Sequence, residues 1–478
     1  MENKLSRRDF LSSAAVIGAA GAVGTSGVLL NSCTADTGPK YTPLRPASEV
    51  YIPDLPSKAV DGKPLRAALI GCGSRGSGAA TQFLRAADGV SIVACADLFE
   101  DRMTTFRNLM KTRNMEIPDD KCFLGFDSYQ KVLQLPEVDV ALIASPSIFH
   151  ATQLKYAIEM GKHTFCEKPA AIDAAGYRTF MAAIRQAASS GLNVMTGTQR
   201  HHQRGYVESY RKVQQGYIGQ IVSGNVYWNQ GIFSFKLQEP QWTDMEYMIR
   251  DFFSWNWLCG DHIIDQCVHN IDVFTWFSHL KPKFVIGMGS RAQRWFGNIY
   301  DNFSADIEYE GGVHLHAMAR QIDNCHNRTA EIIQGSKGSW SSLDNQFIIR
   351  DLDGNIVWQF DREAERDLFE QLDPYTLEHV NFINHIRQEK VLNIAEITAI
   401  SSMAGVMARE SAYTGKGITW EEMTNSDLDL MPKELKLANV DMTEYRKIPL
   451  PGTSPLPPRP PQPRPQNAPQ GNRPPAAT

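Results

Sequence analysis

Cysteine is sparse and never paired at short range. Cys33, Cys72, Cys95, Cys122, Cys166, Cys259, Cys267 and Cys325 are scattered with no CxxC spacing, which argues against a structural zinc site and against a disulfide framework. Several lie inside apolar runs, where a free thiol acts as a small hydrophobe. Positive charge is not in surplus either: 48 Lys and Arg face 53 Asp and Glu, a formal net charge of −5. A general basic surface for nucleic acid is thereby excluded. With 42% hydrophobic and 21% charged residues, disorder over most of the chain is excluded too. No internal repeat is visible, and 478 residues suffice for two or three domains with sizeable cores. Proline is ordinary in number but not in placement, since 12 of the 26 lie between Pro449 and Thr478.

Both ends therefore read as appendages. Ser6-Arg7-Arg8-Asp9-Phe10-Leu11 precedes an uncharged, small-residue stretch from Ser12 to Leu30, the pattern of a twin-arginine export signal. The stretch is too rich in Gly, Ala and Ser to be a good membrane anchor. Leu30-Asn31-Ser32-Cys33 resembles a bacterial lipobox. Segment 1–32 is thus expected to be a removed signal, with Cys33 the lipidated first residue of an exported, periplasmic or membrane-anchored product. That lipid would be the sole membrane contact. Residues 33–63 read as a Pro-containing tether, and 449–478 as an extended or disordered tail.

Between these ends the first fold signal is Leu65-Arg66-Ala67-Ala68-Leu69-Ile70, an apolar run of strand length, followed by Gly71-Cys72-Gly73-Ser74-Arg75-Gly76. A helical segment and a second strand, Val90 to Ala96, ending at Asp97, complete a βαβ unit of the dinucleotide-binding type. Gly71 permits the tight turn, Gly73 lets backbone approach a pyrophosphate, and Gly76 lets helix pack on strand. Free N–H groups at Cys72, Ser74 and Arg75 face the phosphates. Asp97 is placed to accept from the adenosine ribose and to repel a 2′-phosphate, which favours NAD over NADP. Arg75 and Arg102 are cations close to that position.

A strand-like run, Val138 to Ala144, leads into Ser145-Pro146-Ser147-Ile148-Phe149-His150, and Gly161-Lys162-His163-Thr164-Phe165-Cys166-Glu167-Lys168-Pro169 follows. With the glycine loop, these elements resemble the hallmarks of the glucose–fructose oxidoreductase, inositol dehydrogenase and rhizopine-catabolism (Gfo/Idh/MocA) family, from about Pro64 to Met423. Ser147 replaces the family's usual Asn. The resemblance implies cofactor contacts at Ser145, Pro146, His150, Glu167 and Lys168, and a cis Lys168-Pro169 bond. It also implies a homo-oligomer formed through the C-terminal sheet.

Asp265, His269 and Asp272 are spaced i, i+4 and i+7, one helix face, beside the apolar Ile263, Ile264, Val268, Ile271 and Val273. From the residues alone, a metal site, a catalytic group or a solvated stripe remain open, with metal weakest because no HExxH spacing occurs. By resemblance the block matches the family's DxGxHxxD helix, with Cys267 in place of Gly, which makes Lys168, Asp265 and His269 the catalytic set. Removing hydride from a secondary alcohol requires a base at its hydroxyl, and His269, with a reference pKa near ~6.5, suits that role. Asp265 would bind the sugar or orient the imidazole, and Lys168 would stabilise alkoxide character.

Beyond Leu192, alternating runs at Ile221–Asn229, Phe284–Ala292, Phe303–Glu310, Gly312–Gln321, Thr329–Gln334 and Asn345–Phe360 predict a mostly antiparallel open sheet. Amphipathic helices over Leu377–Gln388 and Ile394–Thr414 would close it. The fold class is therefore α/β: a Rossmann domain over 64–198 and an α+β substrate domain over 199–448. Aromatic and polar candidates for a sugar or glycoside site are Arg200, His201, Trp228, Trp257, His262 and Asp265, with Tyr227, Trp242 and Trp255 nearby. The expected activity is hydride transfer between a ring hydroxyl, the 3-hydroxyl by likeness to exported relatives, and tightly held NAD. The alternatives are an NAD-dependent glycosidase working by transient oxidation and elimination, and a non-catalytic sugar-binding lipoprotein.

Overall fold

The computed structural model describes residues 41–392 and 394–452. Cys33, the export signal and all but the start of the proline-rich tail lie outside the described residues. Six strands form the first sheet: β1 (Leu65–Ile70), β2 (Val90–Asp97), β3 (Cys122–Leu124), β4 (Val140–Ile143), β5 (His163–Cys166) and β6 (Val194–Thr196). They are all parallel, in the order β3-β2-β1-β4-β5-β6. The central strands are apolar on both faces because helices cover both: every residue of β4 is buried, as is all of β1 except Arg66. Strand order reverses between β1 and β4, and the crevice of such a sheet opens at that reversal.

The second sheet has nine strands, β7 (Ile221–Gln230), β8 (Pro282–Ser290), β9 (Asn302–Tyr309), β10 (Val313–Gln321), β11 (Arg328–Gly335), β12 (Gly338–Ser341), β13 (Ile348–Asp351), β14 (Ile356–Gln359) and β15 (Ile418–Thr419). Their order is β14-β13-β12-β11-β7-β10-β9-β8-β15, antiparallel throughout except for the β7–β10 pair. The run over 345–360 is a hairpin of β13 and β14 folded at the Asp351–Gly354 turn, where its turn residues stand. The alternation of β8 leaves Ile286 and Met288 exposed on the open face, joined by Met318 of β10.

Five helices fix how the two sheets meet: α1 (Ser74–Ala86), α2 (Ala174–Ser189), α3 (Val268–Ser278), α4 (Pro374–Arg387) and α5 (Ala395–Thr414). Asp173 caps α2 by accepting from Gly176 N, and its other oxygen accepts from Leu430 N. Asp373 caps α4, with Pro374 at the first helical position where a missing N–H costs nothing. The small residues of α5 let it lie against β8 and α3 on one side and α2 on the other, while α4 packs on α1. The later helices of the chain thus belong as much to the joint between the sheets as to the second sheet.

Residues 41–60, expected as a free tether, form a strap laid across both halves. Tyr41 stacks on Tyr217 with ring centroids 4.0 Å apart, and Leu44 N donates to Gln214 O. Arg45 donates to the Ser278 carbonyl at the end of α3, and Tyr51 OH to Asn381 Oδ1 on α4. Ala59 N reaches Ala86 O, the last residue of α1.

Candidate active site

The glycine loop joins β1 to α1 where the crevice opens. Gly71 has φ +93°, and a Cβ there would lie 2.6 Å from Ala144 O; a Cβ on Gly76 would lie 1.8 Å from Gly71 O. Neither position tolerates a side chain. Gly73 differs, because its nearest neighbour in that direction is Arg102 Nη1 at 3.9 Å, so its open side faces the cleft. As N-cap of α1 it leaves the first-turn N–H groups without helical partners.

That cleft has a volume of about 1120 Å³ and is lined by Gly71, Cys72, Gly73, Ser74, Arg75, Asp97, Ser145 and Pro146, all expected from the sequence. At its rim Asp97 accepts from Cys72 N (2.6 Å) and Phe99 N (2.8 Å). Burial raises its carboxyl above the ordinary value. The open Gly73 face, the free helix N-terminus and a carboxylate at the end of β2 together fit a dinucleotide. Gly76 does not line the cleft; it serves helix packing.

Segments from the second half form the outer wall. Phe233, Lys236, Arg250, Phe252 and Met431 line the same cleft. Arg250 clamps this wall to the Rossmann side, pairing with Asp101 at 2.9 Å while its guanidinium lies 3.9 Å from the Phe99 ring and 5.1 Å from Trp242. No motif announced these residues, since they come from loops and short helices in two separate segments and meet the cleft only through folding.

Past the cleft stands the expected catalytic set. The Lys168-Pro169 bond is cis. Lys168 Nζ donates to the Asp265 carbonyl and stands 3.7 Å from Asp265 Oδ1, whose other oxygen accepts from Gln266 Nε2 at 2.6 Å. The His269 ring stacks on Trp228 with centroids 5.6 Å apart and planes 23° apart. Burial first, then the cations Lys168, Arg200 and Arg75, push the His269 imidazole well below its ordinary value. A neutral imidazole, a buried carboxylate, an ammonium and an indole face are thereby gathered beside the nucleotide loop.

Several expectations are corrected. Asp265, His269 and Asp272 do not share one helix: His262–Asp265 is a separate turn, the chain breaks at Gln266–Cys267, and α3 starts at Val268. Asp272 pairs with His201, which stacks on Trp276. His150 does not face the cleft; its ring nitrogens stand 2.8 Å from Pro169 O and from Ser145 O, and the N–H of the ring donates to a carbonyl between the two turns. Glu167 is held by Arg75.

Of the substrate candidates, Trp228 and Asp265 lie in the site. Arg200 is instead ion-paired with buried Glu331, which also accepts from Tyr206 OH (2.9 Å), Asn270 Nδ2 (2.6 Å) and Ser342 Oγ. Trp257 is 6% exposed and packs near Tyr445. His262 is buried, its Nδ1 2.9 Å from Asp261 Oδ1 and its ring edge-on to Phe303. Each of these three is engaged by the core.

Among the described residues no helix is long and apolar enough to cross a membrane, no cluster of metal-ligating side chains occurs, and the seven cysteines are unpaired.

Comparison with known proteins agrees with this geometry. The Gfo/Idh/MocA oxidoreductase family, with an NAD-binding Rossmann fold, matches residues 65–197, and the Gfo/Idh/MocA C-terminal domain matches 206–341. A glycosyl hydrolase family 109 protein of Bacteroides fragilis is 31% identical over 131 residues, 27% of this chain and 27% of that protein. An inositol 2-dehydrogenase of Salmonella paratyphi B is 25% identical over 223 residues, 46% of this chain and 56% of that protein. The chain thus spans between about a quarter and a little over half the length of these curated relatives. The aldose-aldose oxidoreductase of Caulobacter crescentus, crystallised with glycerol, shares the fold with a TM-score of 0.59 at 15% identity, over 75% of this chain and 100% of that one. Scyllo-inositol dehydrogenase of Lactobacillus casei, crystallised with NAD(H) and scyllo-inositol, gives 0.57 at 20% identity over 75% and 99%. With the Rossmann and C-terminal portions both matched, and the glycine loop, the Glu167-Lys168-Pro169 turn and the second sheet all in place, the chain belongs to the Gfo/Idh/MocA family of NAD-binding oxidoreductases.

Proposed function

We propose that this oxidoreductase transfers hydride between a ring hydroxyl of a sugar or glycoside, the 3-hydroxyl for preference, and a retained NAD. The observation that carries the reading is the meeting of Lys168, Asp265 and His269 beside the glycine-loop cleft. When bound, NAD supplies the hydride acceptor. His269 is neutral at neutral pH, since burial and neighbouring cations oppose its protonation. Its lone pair can therefore take the proton of the reacting hydroxyl. Lys168, oriented by its bond to the Asp265 carbonyl, supplies positive charge where alkoxide character develops. Asp265 keeps acceptor capacity for a second hydroxyl, and the Trp228 indole offers an apolar face beside His269. The relatives named inositol dehydrogenase and aldose-aldose oxidoreductase support a polyol or sugar as substrate.

Retention of NAD is supported by the outer wall of the cleft and its Arg250–Asp101 clamp. Export supports it too: the twin-arginine pattern before Cys33 argues for a periplasmic or lipid-anchored protein, where free NAD is scarce. The exposed Ile286, Met288 and Met318 on the open sheet face support association of two copies there. A redox-neutral glycosidase is the second reading, favoured by the family 109 relatives. Oxidation at the 3-position would acidify the neighbouring C–H and permit elimination of the protonated aglycone; water would then add across the resulting enone, and the hydride would return to the 3-carbon.

Mass spectrometry of small molecules released on denaturing the purified protein, followed by a glycoside panel read for both NADH and free sugar, tests these readings. Bound NAD with NADH accumulating supports the dehydrogenase; bound NAD with sugar released and no net NADH supports the glycosidase. Absence of nicotinamide together with failure to bind added NAD refutes both.

A further inference from the structure

Arg75, Glu167 and Glu378 form a cluster that hydride transfer as described leaves unused. Arg75 lies in the first turn of α1 and lines the cleft; its Nε donates to Glu167 and its Nη1 to Gln82 Oε1 at 2.9 Å. Its Nη2 is buried without a hydrogen bond and stands 3.8 Å from Glu378 Oε1. Glu378, on α4, has a side chain that is 0% exposed, and neither of its oxygens has a hydrogen-bond partner among the described residues. A guanidinium and a buried carboxyl, whose proton affinity burial raises well above the ordinary carboxyl value despite the nearby Arg75, therefore face each other across a gap roughly 1 Å too wide for a hydrogen bond.

Scaffolding does not account for that gap, because buried polar atoms are almost always satisfied. Glu167 is meanwhile held by Arg75, although it follows β5 directly and stands beside Lys168 in the chain. Its other oxygen is walled by Gly197, where a Cβ would stand 2.5 Å from Glu167 Oε2. The Tyr375 ring, one turn before Glu378 on α4, lies 5.0 Å from the Arg75 guanidinium. A guanidinium can slide across such a ring without losing the attraction of its face.

We propose that Glu378 is a second seat for Arg75: when the dinucleotide binds, the guanidinium passes from Glu167 to Glu378, and the Glu167 carboxylate is freed to accept hydrogen bonds from the nicotinamide half of the cofactor. Glu378 is then a positioning residue for the cofactor, acting through Arg75. The contact that differs between the two states, and so lets a ligand shift them, is the one Glu167 makes. This inference rests on the reading of the cleft as an NAD site.

The test is calorimetric titration of nucleotide-stripped protein with NAD⁺ and, separately, with ADP, which carries only the adenosine half and the phosphates. Glu378→Gln keeps the side-chain volume and removes the carboxyl that would ionise on pairing with Arg75. The expected result is about tenfold weaker NAD⁺ binding with ADP binding unchanged. A merely structural role would weaken both ligands alike, and a Glu378 that is never engaged would weaken neither; either outcome overturns the second seat. A crystal structure of the wild-type protein with NAD decides the matter if the variant does not fold: Arg75 within hydrogen-bond distance of Glu378 supports the proposal, and Arg75 still on Glu167 refutes it. Wild-type protein that binds no NAD⁺ overturns both the cofactor reading and this one, whereas wild-type binding with an indifferent Glu378→Gln overturns the second seat alone.

Discussion

Arg200→Met separates a scaffold residue from a substrate residue. Arg200 and Glu331 are a buried ion pair, with side chains 10% and 0% exposed. Replacing the arginine by a shorter, unbranched thioether keeps most of the volume and leaves the Glu331 carboxylate in the interior with three neutral donors, Tyr206, Asn270 and Ser342. Breaking one side of a buried pair typically costs about 3–5 kcal/mol. Three surviving hydrogen bonds offset part of that, so the lower end, about 3 kcal/mol, is expected. Urea unfolding followed by tryptophan fluorescence reads the loss. Adding Glu331→Gln to Arg200→Met should restore more than half of it, because the stranded charge is then removed. An unchanged unfolding midpoint, together with a KM for sugar raised tenfold or more, would falsify this assignment and place Arg200 on the substrate.

The remaining predictions follow from the same geometry. His269→Ala should lower kcat by about 10²–10⁴-fold, the usual contribution of a positioned acid–base group, while NAD⁺ titrates the variant as it does the wild type; retained turnover refutes the assigned base. The acid limb of kcat/KM should fall below pH ~6.5, since the His269 imidazole lies below its ordinary value, and a limb above that pH counts against it. Burial pushes His163 down to about 4, and its Nδ1 accepts from Asn193 N at 3.1 Å. The folded protein therefore resists a proton that the unfolded chain takes up. Stability from this residue is intact above pH ~6.5 and declines by roughly 3 kcal/mol as pH falls to about 4. His163→Asn should flatten that part of the stability profile, and an unaltered profile rejects the assignment. Tyr41→Ala at the strap should cost about 1 kcal/mol through the lost ring stack, seen as a small drop in Tm; no change would mean that the stack on Tyr217 contributes nothing.

The parts legible in the sequence were those fixed by local chemistry. Leu65–Ile70 could be placed to the residue because an apolar run ending in Gly71 has one sterically permitted continuation. The alternating runs of the second sheet emerged for a related reason, since one buried face imposes a period of two. Arg200, Trp257 and His262 were misplaced because residue type cannot tell a polar or aromatic group facing a cleft from one buried in the core. His150 was misplaced for a subtler reason: its motif is real, but both of its nitrogens lie against protein carbonyls and not the cleft. The wall formed by Phe233, Arg250 and Met431 carried no local signal at all.

Sequence by itself determined the glycine loop, the Glu167-Lys168-Pro169 turn and the identity of the family, because close backbone approach and the hydride-transfer site admit few residue types at those positions. Tertiary structure decided which charges are free to work. It gave Arg200 to Glu331 and Asp272 to His201, left Lys168 with Asp265, and set Arg75 between two carboxylates. The physical reason is desolvation: a buried charge needs a partner, and which partner it finds depends on chain segments that are distant in sequence and meet only when the two sheets pack together.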